Sequence, residues 1–451
     1  MDQFSAENYK AYWSRETNPL TGEQFEIYRD TLMDLGNPNF DIEKYLSDEY
    51  AARQTERLHR RFRFTADPMG EACLSWYRSI GLKKEMFESD DFFTRWVLFS
   101  PLTMASDAAN GKKFPLIFVF HGGMNSIETE EFSDGFTEIA AKEGFLLVYP
   151  QNTNADRVLK ILDALKESLP VDTERIYVTG FSQGGYQTRA LVNRHPELFA
   201  AHAPCGNDPY RPFDFQNVPY TETELQHLKE VFVPFLQIVG CCEPNFHVPR
   251  YQWHSRLTML QDLKSRFPGK YDHVRLGMDF DEHGEDATYP HDPDGKRLPT
   301  VHPAPQPGDD IAEWAENRIN LRLDLLGCER RDVEKCLSYA ETPDTETHHV
   351  LGFYGDRDGI LTFYGRKHYF ADIWNSGGLH AFRYVAVDNA PHWPCVTWAE
   401  IAWAFSGSSG GIPEQAEYSL TVIEIRIKKK PPRMKVREAF LIAAGPFIYP
   451  F

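Results

Sequence analysis

The chain has 451 residues, 42% of them hydrophobic, and a formal net charge of −18. That content supports one large core, and the length suits a single catalytic domain with insertions or appended segments better than two equal halves. The acidic balance excludes a phosphate-tracking nucleic-acid surface and disfavours an anionic membrane, and no run reaches the roughly 18 apolar residues of a spanning helix.

The opening MDQFSAENYKAYW lacks the charged start and apolar stretch of a secretory signal, so a cytoplasmic location is expected. The seven cysteines include no CxxC pair and read as thiols of a reducing compartment, not as a disulfide framework or zinc site. No metal and no organic cofactor is expected.

Residues 1–91 are polar and charged. They predict a helical extension packed on the core, with DIEKYLSDEYAARQTERLHRRF as one amphipathic helix carrying Leu46, Tyr50 and Leu58 at helical spacing. Nothing in this stretch suggests chemistry. From residue 92 the pattern changes to strands alternating with helices. FFTRWVLFSPLTM, FPLIFVF, FLLVYP, RIYVTGFS, FAAHAPC and VFVPFLQIVG read as strands, and SDGFTEIAAKEG, VLKILDALKESL and GGYQTRALVNRHP as helices. The continuous apolar runs ended by glycine are those of strands buried on both faces. The fold class is therefore α/β, with a mostly parallel doubly wound sheet.

Residues 244–345 interrupt this order as a long, cap-like insertion closed by the helix DIAEWAENRINLRLDLLG. Its aromatics, together with Tyr210, Phe213, Phe215 and Tyr220 just before it, are expected to form a cap over the site. HYFADIWNSGGLHAFRYVAV follows as a hairpin turning at Asn375–Gly378, then the helix TWAEIAWAF. The catalytic domain spans 92–405, and 406–451 form a linker and basic tail outside any pattern of the core.

The most specific chemical signal is Gly180-Phe181-Ser182-Gln183-Gly184, a G-x-S-x-G pentapeptide between an apolar strand and a helix. Such a turn projects the serine hydroxyl above the sheet and aims a helix N-terminus at the site. Ser182 is the expected nucleophile. A serine hydroxyl needs a base, and in this fold the order along the chain is serine, acid, histidine. His392 follows the last strand in NAPHWP and is the expected base, whereas His348, His349, His368 and His380 read as surface or cross-strand residues. The acid belongs two strands after the nucleophile strand, which gives Glu243 in GCCE, with Asp358 in FYGDRDG as the alternative. The oxyanion hole needs two backbone N–H groups: Gln183 supplies one and Gly123 the other, with Met124 as alternate. His121, in the same HGG loop, reads as structural.

These segments, above all VDTERIYVTGFSQGG and NAPHWP, resemble the polyhydroxybutyrate depolymerase and feruloyl esterase-like group of α/β-hydrolases over roughly 92–405. The resemblance implies a Ser182 nucleophile, a histidine just before Trp-Pro, here His392, and an acid in a G-x-x-D turn. Gly240–Glu243 fits that turn with glutamate substituted and Gly355–Asp358 with aspartate retained, so the acid stays open between them. The implied activity is hydrolysis of a carboxylic ester, on a small-molecule or oligomeric substrate linked to a carbohydrate or hydroxyacid. The alternatives are a serine peptidase on the same fold and a non-catalytic binding protein that keeps it. The acidic stretch between Asp279 and Asp294 reads as a solvated loop and not a calcium site, and the basic run from Lys428 to Arg437 as a solvated tail.

Overall fold

The computed structural model describes residues 13–17, 24–28, 49–64, 67–123, 125–214, 218–241, 314–339, 342–390 and 392–408. Strands β1 (Trp13–Thr17) and β2 (Gln24–Tyr28) form an antiparallel pair of their own. Helices α1 (Glu49–Phe64) and α2 (Glu71–Ser79) lead into β3 (Leu82–Phe87), β4 (Trp96–Pro101), α3 (Met104–Ala109) and β5 (Phe114–Phe120). Then come α4 (Ile127–Glu131), α5 (Phe136–Glu143), β6 (Leu146–Pro150), α6 (Ala155–Ser168), β7 (Val171–Phe181), α7 (Gln183–Arg194), β8 (Ala201–Cys205), α8 (Glu222–Glu230) and β9 (Phe235–Gly240). The last group is α9 (Leu321–Leu325), α10 (Val333–Ser338), α11 (Glu346–Leu351), β10 (Arg357–Phe363), β11 (Arg366–Trp374), β12 (His380–Val387) and α12 (Trp398–Ser408).

The main sheet has the order β10-β11-β12-β9-β8-β7-β5-β6-β4-β3. Its central strands from β12 to β6 run parallel, and antiparallel strands extend both edges. This is the α/β-hydrolase fold. Strands β3 and β10 escape the sequence pattern. LKKEMF and RDGILTF carry charges and present part of each strand to solvent, as edge strands do, so no apolar run marks them.

Both faces of the sheet are covered, which is why the central strands are apolar throughout. Along β5, Ile117 and Val119 face one layer with Phe136 of α5 and Trp398 of α12. Leu116, Phe118 and Phe120 face the other, with Val158, Ile161 and Leu165 of α6. The chain steps from β5 outward to β6, then back past β5 to β7. That reversal opens a crevice at the carboxyl ends of β5 and β7, where ligands bind in sheets of this kind.

The end of the insertion differs from the expectation of a cap. Trp314, Ile319 and Leu323 lie against the sheet, packed with Phe235 and Val239 of β9 and Phe382 and Tyr384 of β12. The outer strands need a covering layer on that face, and this helical stretch supplies it. Tyr210 likewise packs inward, against Leu228 and Leu325. Phe215, the acidic stretch between Asp279 and Asp294, the insertion aromatics before Trp314 and the tail beyond 408 lie outside the described residues. No helix among the described residues is long and apolar enough to cross a membrane.

His368 is fully buried in β11, not at the surface. Its Nδ1 donates to the Arg366 carbonyl at 3.0 Å and its Nε2 accepts from the Thr397 hydroxyl at 2.7 Å. Burial holds this imidazole neutral, down to about 4 against an ordinary 6.5. Between those values the unfolded chain binds the extra proton, so stability rises with pH across the window. The contribution is complete above pH 6.5 and is lost as pH falls through 4, in total about 3 kcal/mol. Urea unfolding of His368→Gln against the parent at pH 4.5 and 7.5 is expected to show a smaller pH-dependent difference in the variant; equal pH slopes would refute the assignment.

Candidate active site

Ser182 stands between β7 and α7 with φ 50° and ψ −112°. A non-glycine residue there is strained by about 1–3 kcal/mol and persists only when its surroundings hold it. The surroundings do: the Ser182 N–H donates to the Cys205 carbonyl at 2.8 Å, and its own carbonyl accepts from Tyr186 N–H at 3.1 Å and Asn207 Nδ2 at 3.3 Å. The turn is tight because α7 runs against β5. A Cβ placed on Gly184 would lie 2.3 Å from the Phe120 carbonyl oxygen.

The half-buried Ser182 hydroxyl lies 3.0 Å from His392 Nε2. His392 sits on the loop between β12 and α12, its ring packed on Phe181 with centroids 4.7 Å apart. Two residues 210 positions apart in sequence are thus in hydrogen-bond contact. Nε2 faces the serine, so a neutral ring accepts the hydroxyl proton there and carries its own on Nδ1.

Gln183 opens α7, and its N–H is one of the first-turn donors without an intrahelical acceptor. Gly123 lies beside it: a Cβ on Gly123 would come within 2.7 Å of Gln183 Oε1. The two expected oxyanion donors therefore belong to adjacent residues. Met124 is outside the described residues. The loop carrying Gly123 is fixed by Gln151, whose Nε2 donates to the Asn125 carbonyl at 3.1 Å and whose Oε1 accepts from Ile127 N–H at 3.2 Å. His121 belongs to this scaffold. Its ring nitrogens lie 2.8 Å from the carbonyls of Gly122 and Gln151, and burial lowers its affinity for a proton.

The two candidate acids have different surroundings. Asp358 is opposite Ala371, which pairs with Tyr384, which pairs with Gln237. It is thus three strands from β9, about 14 Å, and three residues short of the carboxyl edge, about 10 Å. Its carboxylate accepts from His348 Nε2 at 2.8 Å and from Gly355 N–H at 2.7 Å, so the structure joins it to His348 and not to His392. Glu243 lies outside the described residues. Its approach is visible: β9 and β12 are neighbours, and Cys241 N–H donates to the Val387 carbonyl at 2.9 Å. The carboxyl ends of the strands that precede Glu243 and His392 therefore lie side by side.

Asn207, Gln151 and the Cys205 carbonyl were not singled out by sequence. Asn207 follows directly on a strand end in PCGN, the one local signal for a residue at the carboxyl edge. The six described cysteines are free thiols, and none of the described residues form a metal-binding cluster.

The model of the prolyl oligopeptidase family matches residues 147–227, from β6 through the serine turn into α8. The chain is 29% identical over 103 residues to the bifunctional acetylxylan esterase/xylanase of Neocallimastix patriciarum, an alignment covering 20% of this chain and 15% of that protein. It is 25% identical over 119 residues to poly(3-hydroxyalkanoate) depolymerase C of Paucimonas lemoignei, covering 22% and 28%. The chain thus matches less than a third of the length of these curated relatives. Among solved structures, the acetyl xylan esterase from Aspergillus awamori superposes with a TM-score of 0.37 at 11% identity, covering 72% of this chain and 99% of that one. The fold, the serine turn and the sequence likenesses group the chain with the esterase-like α/β-hydrolases.

Proposed function

We propose that this chain is a serine carboxylic-ester hydrolase working through an acyl-enzyme. The observation that carries the reading is the Ser182 hydroxyl on a strained strand-to-helix turn, 3.0 Å from His392 Nε2. Ser182 Oγ attacks the ester carbonyl while His392 takes its proton. The oxyanion receives the N–H groups of Gln183 and Gly123. His392 returns the proton to the departing alcohol, and water, deprotonated by the same ring, then releases the acid. Glu243 is the proposed orienting acid, supported by the pairing of β9 with β12 and the Cys241–Val387 hydrogen bond at their carboxyl ends. No metal or organic cofactor takes part in these steps. The substrate class is an ester on a carbohydrate or hydroxyacid, a reading favoured by what the two curated relatives are named for. A cytoplasmic location is part of the proposal, supported by the six free thiols among the described residues, which suit a reducing compartment.

Peptide hydrolysis is the second reading, favoured by the match to the prolyl oligopeptidase family across the nucleophile turn. Labelling with a fluorophosphonate and mass spectrometry, with turnover of p-nitrophenyl acetate, methyl ferulate and a peptide amide, decides between them. Label on Ser182 with ester turnover supports the esterase, and faster amide turnover the peptidase. Neither label nor turnover leaves a binding protein. The acid is tested in the same assays. Glu243→Ala is expected to lose about 10⁴-fold in kcat. Asp358→Ala is expected to keep kcat within a few-fold but to lower the unfolding midpoint, because buried His348 loses its partner. The reverse pattern would transfer the role to Asp358.

A further inference from the structure

The loop bearing His392 leaves β12 at Val387 and enters α12 at Trp398, and α1 holds its downstream flank directly and its upstream flank through Arg366 of β11. Tyr50 and Arg57 lie seven residues apart on one face of α1 and are 2% and 7% exposed. Downstream of His392, the Val396 N–H donates to the Tyr50 hydroxyl at 3.0 Å, and the Val396 carbonyl accepts from Arg57 Nη1 at 2.6 Å. Upstream, Arg366 stacks its guanidinium 4.0 Å from the centre of the Tyr50 ring and donates Nη1 to the Asn389 carbonyl at 3.0 Å. Asn389 has φ 50°, a conformation that depends on such restraint. The helix is itself anchored: Tyr50 N–H donates to the Tyr364 carbonyl at 3.1 Å, and Arg57 sits between Glu138 at 3.8 Å and Glu400 at 4.0 Å.

We infer that α1 is a positioning element of the active site, with Tyr50 and Arg57 holding the His392 imidazole in line with Ser182 through the backbone of its loop. The inference rests on reading His392 as the base. Its physical basis is that the described residues from Asp388 to Thr397 belong to neither helix nor strand. Both flanks of His392 are held on one tyrosine, the upstream one through Arg366. Neither Tyr50 nor Arg57 performs chemistry. A displacement of about 1 Å at a reacting group can cost roughly 10²-fold in rate, so a loosened clamp registers in kcat and leaves substrate binding alone.

The test is steady-state hydrolysis of p-nitrophenyl acetate, with thermal unfolding, for Tyr50→Phe, Arg57→Met, Arg57→Lys and His392→Ala. Tyr50→Phe keeps the ring beneath Arg366 and removes only the hydroxyl acceptor; its kcat is expected to fall about 5- to 10-fold with KM within about twofold. Arg57→Met is expected to fall by up to about 10²-fold, and Arg57→Lys, which retains a donor for the Val396 carbonyl, to recover part of the loss. If Arg57→Met does not fold, Tyr50→Phe carries the test. Parental kcat in the folded clamp variants, with His392→Ala inactive, would overturn the positioning role and leave the base assignment standing. So would a kcat loss that vanishes at temperatures where the variants are fully folded. Activity surviving in His392→Ala would overturn the base assignment and the inference with it.

Discussion

Ser182→Ala is expected to lower ester turnover by roughly 10⁴- to 10⁶-fold and to abolish fluorophosphonate labelling, while the unfolding midpoint stays the same or rises. The rate effect follows from the contact between Ser182 Oγ and His392 Nε2 at 3.0 Å: without the oxygen there is nothing for the base to activate. The stability effect follows from the backbone. Ser182 holds φ 50° through hydrogen bonds of its own N–H and carbonyl, and alanine keeps both. His392→Ala is expected to lose a comparable factor, and the double variant little more than either alone, because the two side chains act as one unit. Additive losses in the double variant would mean that each acts separately, and the catalytic pair would have to be abandoned.

Gly184→Ala is expected to be the most damaging single methyl among the described glycines. Its Cβ would lie 2.3 Å from the Phe120 carbonyl oxygen and 2.6 Å from that of His121. Both are backbone atoms of the central strand β5 and the loop that follows it, and neither can turn aside as a side chain would. Either α7 moves off the sheet, carrying Ser182 and the Gln183 N–H with it, or β5 deforms. Overpacking of this kind costs about 1–3 kcal/mol where side chains can yield, and more where backbone must. A destabilisation above about 3 kcal/mol in urea, together with loss of labelling, is the expected result. Gly185→Ala is the informative comparison. Its Cβ would meet Asn207 Nδ2 at 2.2 Å, the end of a side chain that can rotate away. It should fold more stably than Gly184→Ala and lose activity through the broken Asn207 bond to the Ser182 carbonyl. Equal stability of the two variants would show that the close approach of α7 to β5 is not what demands glycine.

Much of this was legible in the chain, and the reason is range. The serine turn is written in five consecutive residues with an apolar strand before and a helix after, because its chemistry depends on neighbours a few positions away. The central parallel strands are equally plain, since burial on both faces forces unbroken apolar runs such as FPLIFVF and FLQIVG. The choice of His392 among sixteen histidines came from its place after the last strand.

Other features have no local signature. Asp358 and Glu243 both follow an apolar segment and a glycine; counting strands favours Glu243 and leaves Asp358 as the alternative. The registers from β10 to β9 separate them, because they carry Asp358 across the sheet to His348. The edge strands β3 and β10 carry charge because one side of each faces water, so they look like loops until the sheet is assembled. The helix closing the insertion is apolar whether it caps a site or covers a sheet; only the packing of Trp314 and Leu323 on β9 and β12 decides for the sheet. The hold of α1 on the His392 loop joins Tyr50 to Val396 across 346 residues. The sequence by itself marked the serine turn, the histidine after the last strand and the succession of buried parallel strands, because short-range patterns encode turns and burial. The tertiary structure alone decided the neighbours of Asp358 and the grip on the histidine loop, because hydrogen bonds between distant segments exist only once the chain has folded.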